Sequence, residues 1–261
     1  MIHKYLLPTL LLTSPLFSDV TATDVEGKYA NKSTSIGATS ELVQNINLGF
    51  ANTAGNTKTL NLNAKYTLEH LIEHGDSAPF KYNFQATGFL TKNDGTKIAE
   101  EYTALLNGEQ ELLNSWLGYV AIGWLRNEFK NFDNKYTFAI GVGKVLIDDG
   151  AQRLVVKIGP AYNIEQYTDG TEDAKFGSLN EYLEYSYIFN PTSTLYIKLG
   201  AMENFEDMGT DYEATGLVGL NFALNENISI SLEHEIAYDN LPVGEFEKTD
   251  TKSIARVGYK F

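Results

Sequence analysis

Leu60-Asn61-Leu62-Asn63-Ala64-Lys65-Tyr66-Thr67-Leu68 carries an apolar side chain at every second position and a polar one between. That period belongs to an extended strand, whose successive side chains point to opposite faces, and not to a helix. It returns at Phe80-Lys81-Tyr82-Asn83-Phe84-Gln85-Ala86-Thr87. At the end of the chain Ser253, Ala255, Val257, Tyr259 and Phe261 share one face, while Lys252, Arg256 and Lys260 share the other.

Extended over the chain, the alternation predicts about twelve strands, most of them about ten residues long, the length a tilted strand needs to cross a bilayer. The first six fall at Glu41 to Asn52, Lys58 to Glu69, Phe80 to Leu90, Glu101 to Glu111, Ser115 to Asn127 and Tyr136 to Leu146. The remainder fall at Gln152 to Glu165, Phe176 to Ile188, Thr194 to Glu203, Asp211 to Leu224, Ile228 to Tyr238 and Asp250 to Phe261. The fold class expected is therefore all-β, a transmembrane antiparallel up-and-down barrel spanning 41–261.

Two further patterns bear on this. Membrane barrels join strands by short turns on one side and longer loops on the other. Leu112-Leu113-Asn114, Ile147-Asp148-Asp149-Gly150, Phe189-Asn190-Pro191 and Asn225-Glu226-Asn227 read as short turns. Thr91 to Glu100, Glu128 to Lys135, Gln166 to Lys175, Asn204 to Thr210 and Asp239 to Thr249 read as longer polar loops. Gly55-Asn56 predicts a tight first loop and His70 to Pro79 a long first turn, against that pattern. Aromatic girdles are the second pattern. Trp116 and Trp124 share a face eight positions apart, roughly 20 Å of height at ~3.3 Å per residue and ~40° tilt. Tyr136, Tyr162 and Tyr212 fall near outer strand ends, and Tyr187, Phe222, Tyr259 and Phe261 near inner ones. A soluble β-sandwich would also bury apolar strand faces, but calls for neither girdles nor alternating loop lengths. Pro160 cannot donate to a ladder without free edges, so a bulge or the membrane boundary is expected there.

The N-terminus speaks to compartment. Lys4 precedes the apolar stretch Tyr5 to Leu12, and Leu16-Phe17-Ser18 and Val20-Thr21-Ala22 each end on a small residue. A secretory signal peptide over 1–22, cleaved after either, is expected, followed by a periplasmic segment over 23–40. With an even strand count both termini fall on the periplasmic side of the outer membrane. The chain has no cysteine, so ladder and packing alone hold it. With 34 acidic and 20 basic residues its formal charge is -14, which makes nucleic acid a poor partner. After the leader no apolar run approaches the ~18 residues of a membrane helix.

The last residues, Val257-Gly258-Tyr259-Lys260-Phe261, resemble the terminal signal that hands outer-membrane barrels to their assembly machinery, with Val257, Tyr259 and Phe261 its apolar positions. Thr53-Ala54-Gly55-Asn56-Thr57-Lys58-Thr59, Gly159-Pro160-Ala161-Tyr162, and Pro242-Val243-Gly244 with Lys248-Thr249-Asp250-Thr251 occur in the order seen in an outer-membrane family of unknown function. That family, domain of unknown function 481, is labelled as salt-induced, and the chain resembles it from about Glu41 to Phe261. Where the family often shows two prolines near the last loop, this chain has Leu241-Pro242. The resemblance implies a membrane barrel of unassigned activity, linked by its label to salt or envelope stress, and transfers no catalytic or binding residue.

On this reading the polar faces line a lumen, with Lys65, Lys81, Glu101, Arg153, Lys157, Glu184, Lys198, Glu213, Glu233, Glu235, Lys252 and Arg256 pointing inward beside Asn61, Asn63, Asn83 and Gln85. Pairing of the two signs would leave a narrow or closed channel, since wide aqueous channels belong to barrels of ~16 to 18 strands. A structural or narrow-pore protein for small solutes or ions is the first expectation. Outer-membrane lipids, lipopolysaccharide and the assembly machinery are its partners; no cofactor or metal is expected. One alternative is a lipid hydrolase or acyl-modifying enzyme using the outward His234, with Ser253 the nearest outward serine. Another is cation or lipopolysaccharide binding by the acidic connections Asp148-Asp149, Glu172-Asp173, Glu203, Glu206-Asp207 and Asp211. His70 and His74 are spaced as on a helical turn, without a further ligand.

Overall fold

The computed structural model describes residues 42–53, 59–74, 77–242 and 248–261. The leader over 1–22, the segment 23–40, the loop at Gly55-Asn56 and the pair Val243-Gly244 lie outside the described residues. Twelve strands follow one another: β1 (Val43–Thr53), β2 (Thr59–His74), β3 (Ser77–Asn93), β4 (Thr96–Glu111), β5 (Trp116–Asn127) and β6 (Phe132–Asp148). Then come β7 (Gln152–Tyr167), β8 (Ala174–Asn190), β9 (Ser193–Asn204), β10 (Tyr212–Ala223), β11 (Ile228–Asp239) and β12 (Thr249–Lys260). Each is antiparallel to the next, and β12 pairs with β1 from Asn45↔Lys260 to Leu48↔Val257, closing the barrel. The start of β1 and the end of β12 therefore share one rim, here the terminal rim. No helix among the described residues is long and apolar enough to cross a membrane.

Closure turns the two-residue period into an inside and an outside. In β7, Arg153, Val155, Lys157, Ala161, Asn163 and Glu165 are buried, whereas Ile158 and Tyr162 between them are exposed. Around the barrel Leu48, Leu106, Val120, Ile140, Leu199 and Val257 stand about half exposed on the outer face. Burying such a side chain is worth ~1.5–3 kcal/mol, so a whole belt of them calls for apolar surroundings. Part of the interior is apolar too: Leu105, Tyr119, Ala121, Leu125, Ala139, Ala161 and Tyr182 pack together on the β4–β8 side.

Several sequence expectations need correction. His70 to Pro79 is not a long turn, because β2 continues to His74 and β3 begins at Ser77. His70 therefore lies on a strand, its ring edge-on to Tyr82 at 5.4 Å, and not on a helical turn. Thr91 to Glu100 is not a long loop either. Asp94 and Gly95 both have positive φ, 48° and 82°, and make the two-residue hairpin whose twist matches its flanking strands. Glu128 to Lys135 contains a short 3-10 turn, Glu128–Lys130, after which β6 starts at Phe132. The strands thus continue past the apolar belt, and connection length alternates less than expected.

Pro160 lies within β7, not at a boundary or a shifted register. The β6–β7 ladder pairs Ala139 with Ala161 and Val142 with Ile158 in one register and is interrupted between them. The proline's missing donor falls at that interruption. There Gly141 and Gly159 approach so closely that a Cβ on Gly159 would strike the backbone of Ile140 and Gly141.

Candidate functional site: the charged interior and the outer face

The inward positions of the strands converge on the axis of the barrel, and their charges meet across it. Lys252 of β12 lies 3.4 Å from Glu101 of β4, four strands round the barrel, and 3.5 Å from its neighbour Glu235. Glu101 also accepts from Asn127 Nδ2 at 3.3 Å. Lys157 of β7 reaches Glu109 of β4 at 2.5 Å and Glu184 of β8 at 3.2 Å. Glu109 also accepts from Asn107 at 3.0 Å, and Lys81 stands opposite it in the β3–β4 ladder.

Glu233 of β11 gathers three donors. Lys65 of β2 lies 3.3 Å away, the Tyr196 hydroxyl donates at 2.8 Å, and the Arg256 guanidinium pairs with its other oxygen. Arg256 Nε donates to Asn63 Oδ1 at 2.9 Å. Lys198 is buried over the Tyr196 ring, 6.0 Å from its centroid. Arg153, nearer the terminal rim, donates to Asp148 at 3.2 Å.

The rim opposite the termini carries a second charged group. Lys135, 1% exposed, bridges Glu165 at 2.7 Å and Glu213 at 3.1 Å, on β7 and β10. Tyr167 donates to Glu165 at 2.6 Å. The 3-10 turn before β6 folds inward, so that Lys130, 2% exposed, meets Asp250 of β12 at 2.7 Å across the mouth. Asn131 Oδ1 anchors this corner by accepting from the Thr168 amide and hydroxyl and the Asp169 amide.

Charges this deep are tolerable only when paired and hydrogen-bonded. All the inward residues expected from the alternation lie on interior strand positions, and the structure brings most of them into the pairs above. Sequence reasoning missed Glu109, Lys130, Lys135, Glu165 and Asp250. Lys135 carries the parity of β6's inner face, but Asp133-Asn134 beside it looks like a turn; Lys130 lies on no strand at all.

The outer face carries its own features. Trp116 is about half exposed, with Lys144 Nζ 4.8 Å above its ring, and Trp124 donates to Asn134 at 2.9 Å. Tyr136, Tyr162, Tyr212 and Phe222 all project outward. Val257, Tyr259 and Phe261 are exposed beside the terminal rim, the last two rings stacked at 6.3 Å. His234 and Ser253 are cross-strand partners, with Nδ1 and Oγ 2.9 Å apart. Among the described residues the other ring nitrogen of His234 meets no carboxylate or amide. Nor is there a group of three or more His, Cys, Asp or Glu side chains placed to hold a metal ion among them. In the turn at the terminal rim, Asp149 accepts from the backbone amides of Gln152 at 2.7 Å and Ala151 at 3.0 Å. Those two bonds hold its carboxyl below the usual carboxylate range.

An antiparallel barrel with an apolar exterior, outward aromatics and a polar, internally paired lumen has the architecture of a membrane-spanning β-barrel. The chain belongs to the family described as "Protein of unknown function, DUF481", whose model matches residues 46–261. It is 19% identical over 253 residues to the uncharacterized protein YdiY of Escherichia coli K12, across 96% of this chain and 95% of that one. Among solved structures it is similar to an outer membrane channel from Pseudomonas putida F1, at 11% identity and a TM-score of 0.49, over 84% of this chain and 94% of that one. A second is the translocator domain of the autotransporter NalP from Neisseria meningitidis, at 11% identity and a TM-score of 0.45, over 84% and 86%. Likeness of that degree transfers nothing of those proteins' roles to this chain.

Proposed function

We propose that this protein is an integral outer-membrane barrel, both termini periplasmic, whose lumen is held shut by ion pairs and passes only small ions or solutes when those pairs part. Cross-wall pairing supports this reading, above all Lys252 with Glu101, Lys135 with Glu213 and Lys130 with Asp250. An open porin keeps its inner charges on the wall, in water; here they meet in the middle. Outer-membrane lipids and lipopolysaccharide surround the belt, and Val257, Tyr259 and Phe261 present the signal to the assembly machinery. Salt or envelope stress is the proposed setting, and growth of a deletion strain at raised osmolarity, with complementation, tests it.

Planar-bilayer recording of refolded protein tests the pore. Wild type should give steps far smaller than those of a 16-stranded porin, and Lys130→Ala with Lys135→Ala, which clears the mouth opposite the termini, should enlarge them. Identical silence from both folded proteins would remove the pore and leave a structural barrel.

The 2.9 Å His234–Ser253 pair favours a second reading, an acyl hydrolase working in the outer leaflet. Hydrolysis of phospholipid or lipopolysaccharide acyl chains by wild type, lost in Ser253→Ala and His234→Ala, would establish it. Equal rates in all three would dismiss it.

A further inference from the structure

Glu181 breaks the rule of the outer face. It is the outward residue of β8 next to Ile158 and Ala201, among the residues expected to face lipid, and it is exposed. An ionisable side chain facing hydrocarbon is costly unless it meets a partner, and so marks an interaction site by default. No hydrogen bond or ion pair engages Glu181 among the described residues. Three strands along the same wall, His234 of β11 also faces outward, and among the described residues its second ring nitrogen has no partner.

These two groups stand at similar depth. Glu181 lies seven residues from Ala174, the end of β8 away from the termini, and His234 five from Asp239, the matching end of β11. At ~3.3 Å per residue and ~40° tilt they sit roughly 18 and 13 Å inside those ends. Within one barrel they are about 19 Å apart, because the ladder sets Glu181 level with Tyr238, four residues along β11 from His234; at ~4.8 Å per strand and ~3.3 Å per residue they are too far apart to meet. Between them the outward pair is Leu199 opposite Gly216, with Ala201 opposite Ala214 the next pair toward the rim away from the termini, so three of these four positions are small. Beside Glu181 it is hollowed, where Glu181, Leu183, Leu199 and Ala201 line part of a depression of about 520 Å³.

We propose that two copies of this chain associate in the membrane through the β8–β11 wall, about a twofold axis along the membrane normal, so that Glu181 of each copy meets His234 of the other. A twofold axis brings β8 of one copy against β11 of its partner at unchanged depth, as an isologous interface requires. Gly216, Ala201 and Ala214 let the two walls approach on either side of Leu199, as small residues do between membrane helices. The exposed Leu232 and Ile236 flanking His234 fill the partner's depression. The carboxylate gains a donor and the imidazole an acceptor, neither of which lipid tails provide.

The chain has no cysteine, so introduced ones report alone. Leu183→Cys and Leu232→Cys, one outward position below Glu181 and His234 on their strands, leave the proposed pair intact. After oxidation in co-reconstituted vesicles, the mixture of the two variants should give a disulfide dimer at least tenfold above either variant alone. Adding Glu181→Gln to both should reduce that yield about tenfold, while heat-modifiable migration shows that every variant is folded. A mixture carrying Leu183→Cys and Val120→Cys, on a distant wall, should give none. The proposal is overturned by a mixture no more cross-linked than its components, by a yield indifferent to Glu181→Gln, or by native mass spectrometry of the wild type in nanodiscs finding one copy, with lipid or a different protein on this face.

Discussion

Replacing Lys135 by methionine is the perturbation whose cost the interior fixes most closely. Methionine keeps most of the volume and all of the apolar stem, so little of the effect comes from packing. What is lost is the ammonium group between Glu165 at 2.7 Å and Glu213 at 3.1 Å. Those carboxylates are 6% and 5% exposed, and water does not replace the lost charge. Removing one member of a buried ion pair costs about 3–5 kcal/mol. Because one lysine serves two acids, the upper part of that range is expected, tempered by the Tyr167 hydroxyl that still donates to Glu165. Urea unfolding of vesicle-inserted protein, followed by tryptophan fluorescence, reads the loss as a lower midpoint at unchanged slope. The triple variant Lys135→Met, Glu165→Gln, Glu213→Gln should recover most of it, since neutral groups of the same shape carry a far smaller desolvation cost. A change below ~0.5 kcal/mol for Lys135→Met alone, the range of surface substitutions, would show that water fills the lumen and would refute the interlocked interior.

Gly219→Val should destabilise the barrel by about 1–3 kcal/mol, the usual cost of overpacking, because a Cβ there collides with the Tyr196 ring, whose hydroxyl donates to Glu233; the same unfolding assay reads it. Asp149 makes a pH-dependent contribution. Its carboxyl pKa is lowered on folding, so its share of stability is present above the unfolded carboxylate range and is lost as pH falls through the depressed value. The stability gap between wild type and Asp149→Asn should accordingly close on acidification, and a gap that widens would contradict the bonds from Ala151 and Gln152. Phe261→Ala should lower the amount of heat-modifiable barrel in the outer membrane without changing the unfolding midpoint of what does assemble, since the ring projects outward beyond the last ladder pair.

The alternation made the barrel legible because one face of every strand needs apolar surroundings and the other does not, so parity alone sorts Lys65, Glu101 or Lys157 from Leu62, Tyr102 or Ile158. It failed where strands leave the belt. Beyond it parity carries little free energy, and the segment from His70 to Pro79, whose Leu71 and Ile72 break the alternation, resembles a loop although β2 runs to His74 and β3 starts at Ser77. Asp94-Gly95 is a dipeptide that favours a two-residue hairpin, a signal the longer-loop reading of Thr91 to Glu100 passed over. Partners across the lumen were not legible at all. Lys252 and Glu101 are 151 positions apart and meet only because closure sets β12 four strands from β4. The outward pair His234 and Ser253 was nearer to hand, being one hairpin apart, whereas Glu181 drew no notice among the other acids of β8.

The claim on which all this depends is that the outer face of the barrel meets lipid, and the chain's two tryptophans report it directly. In vesicles of lipids brominated at successive depths, Trp116 and Trp124 fluorescence should be quenched most by bromines near the headgroups and least at the bilayer centre, each residue separately in the Trp124→Phe and Trp116→Phe proteins. Folded protein whose tryptophans no brominated lipid quenches would show that this face packs against protein or water, and would contradict the account.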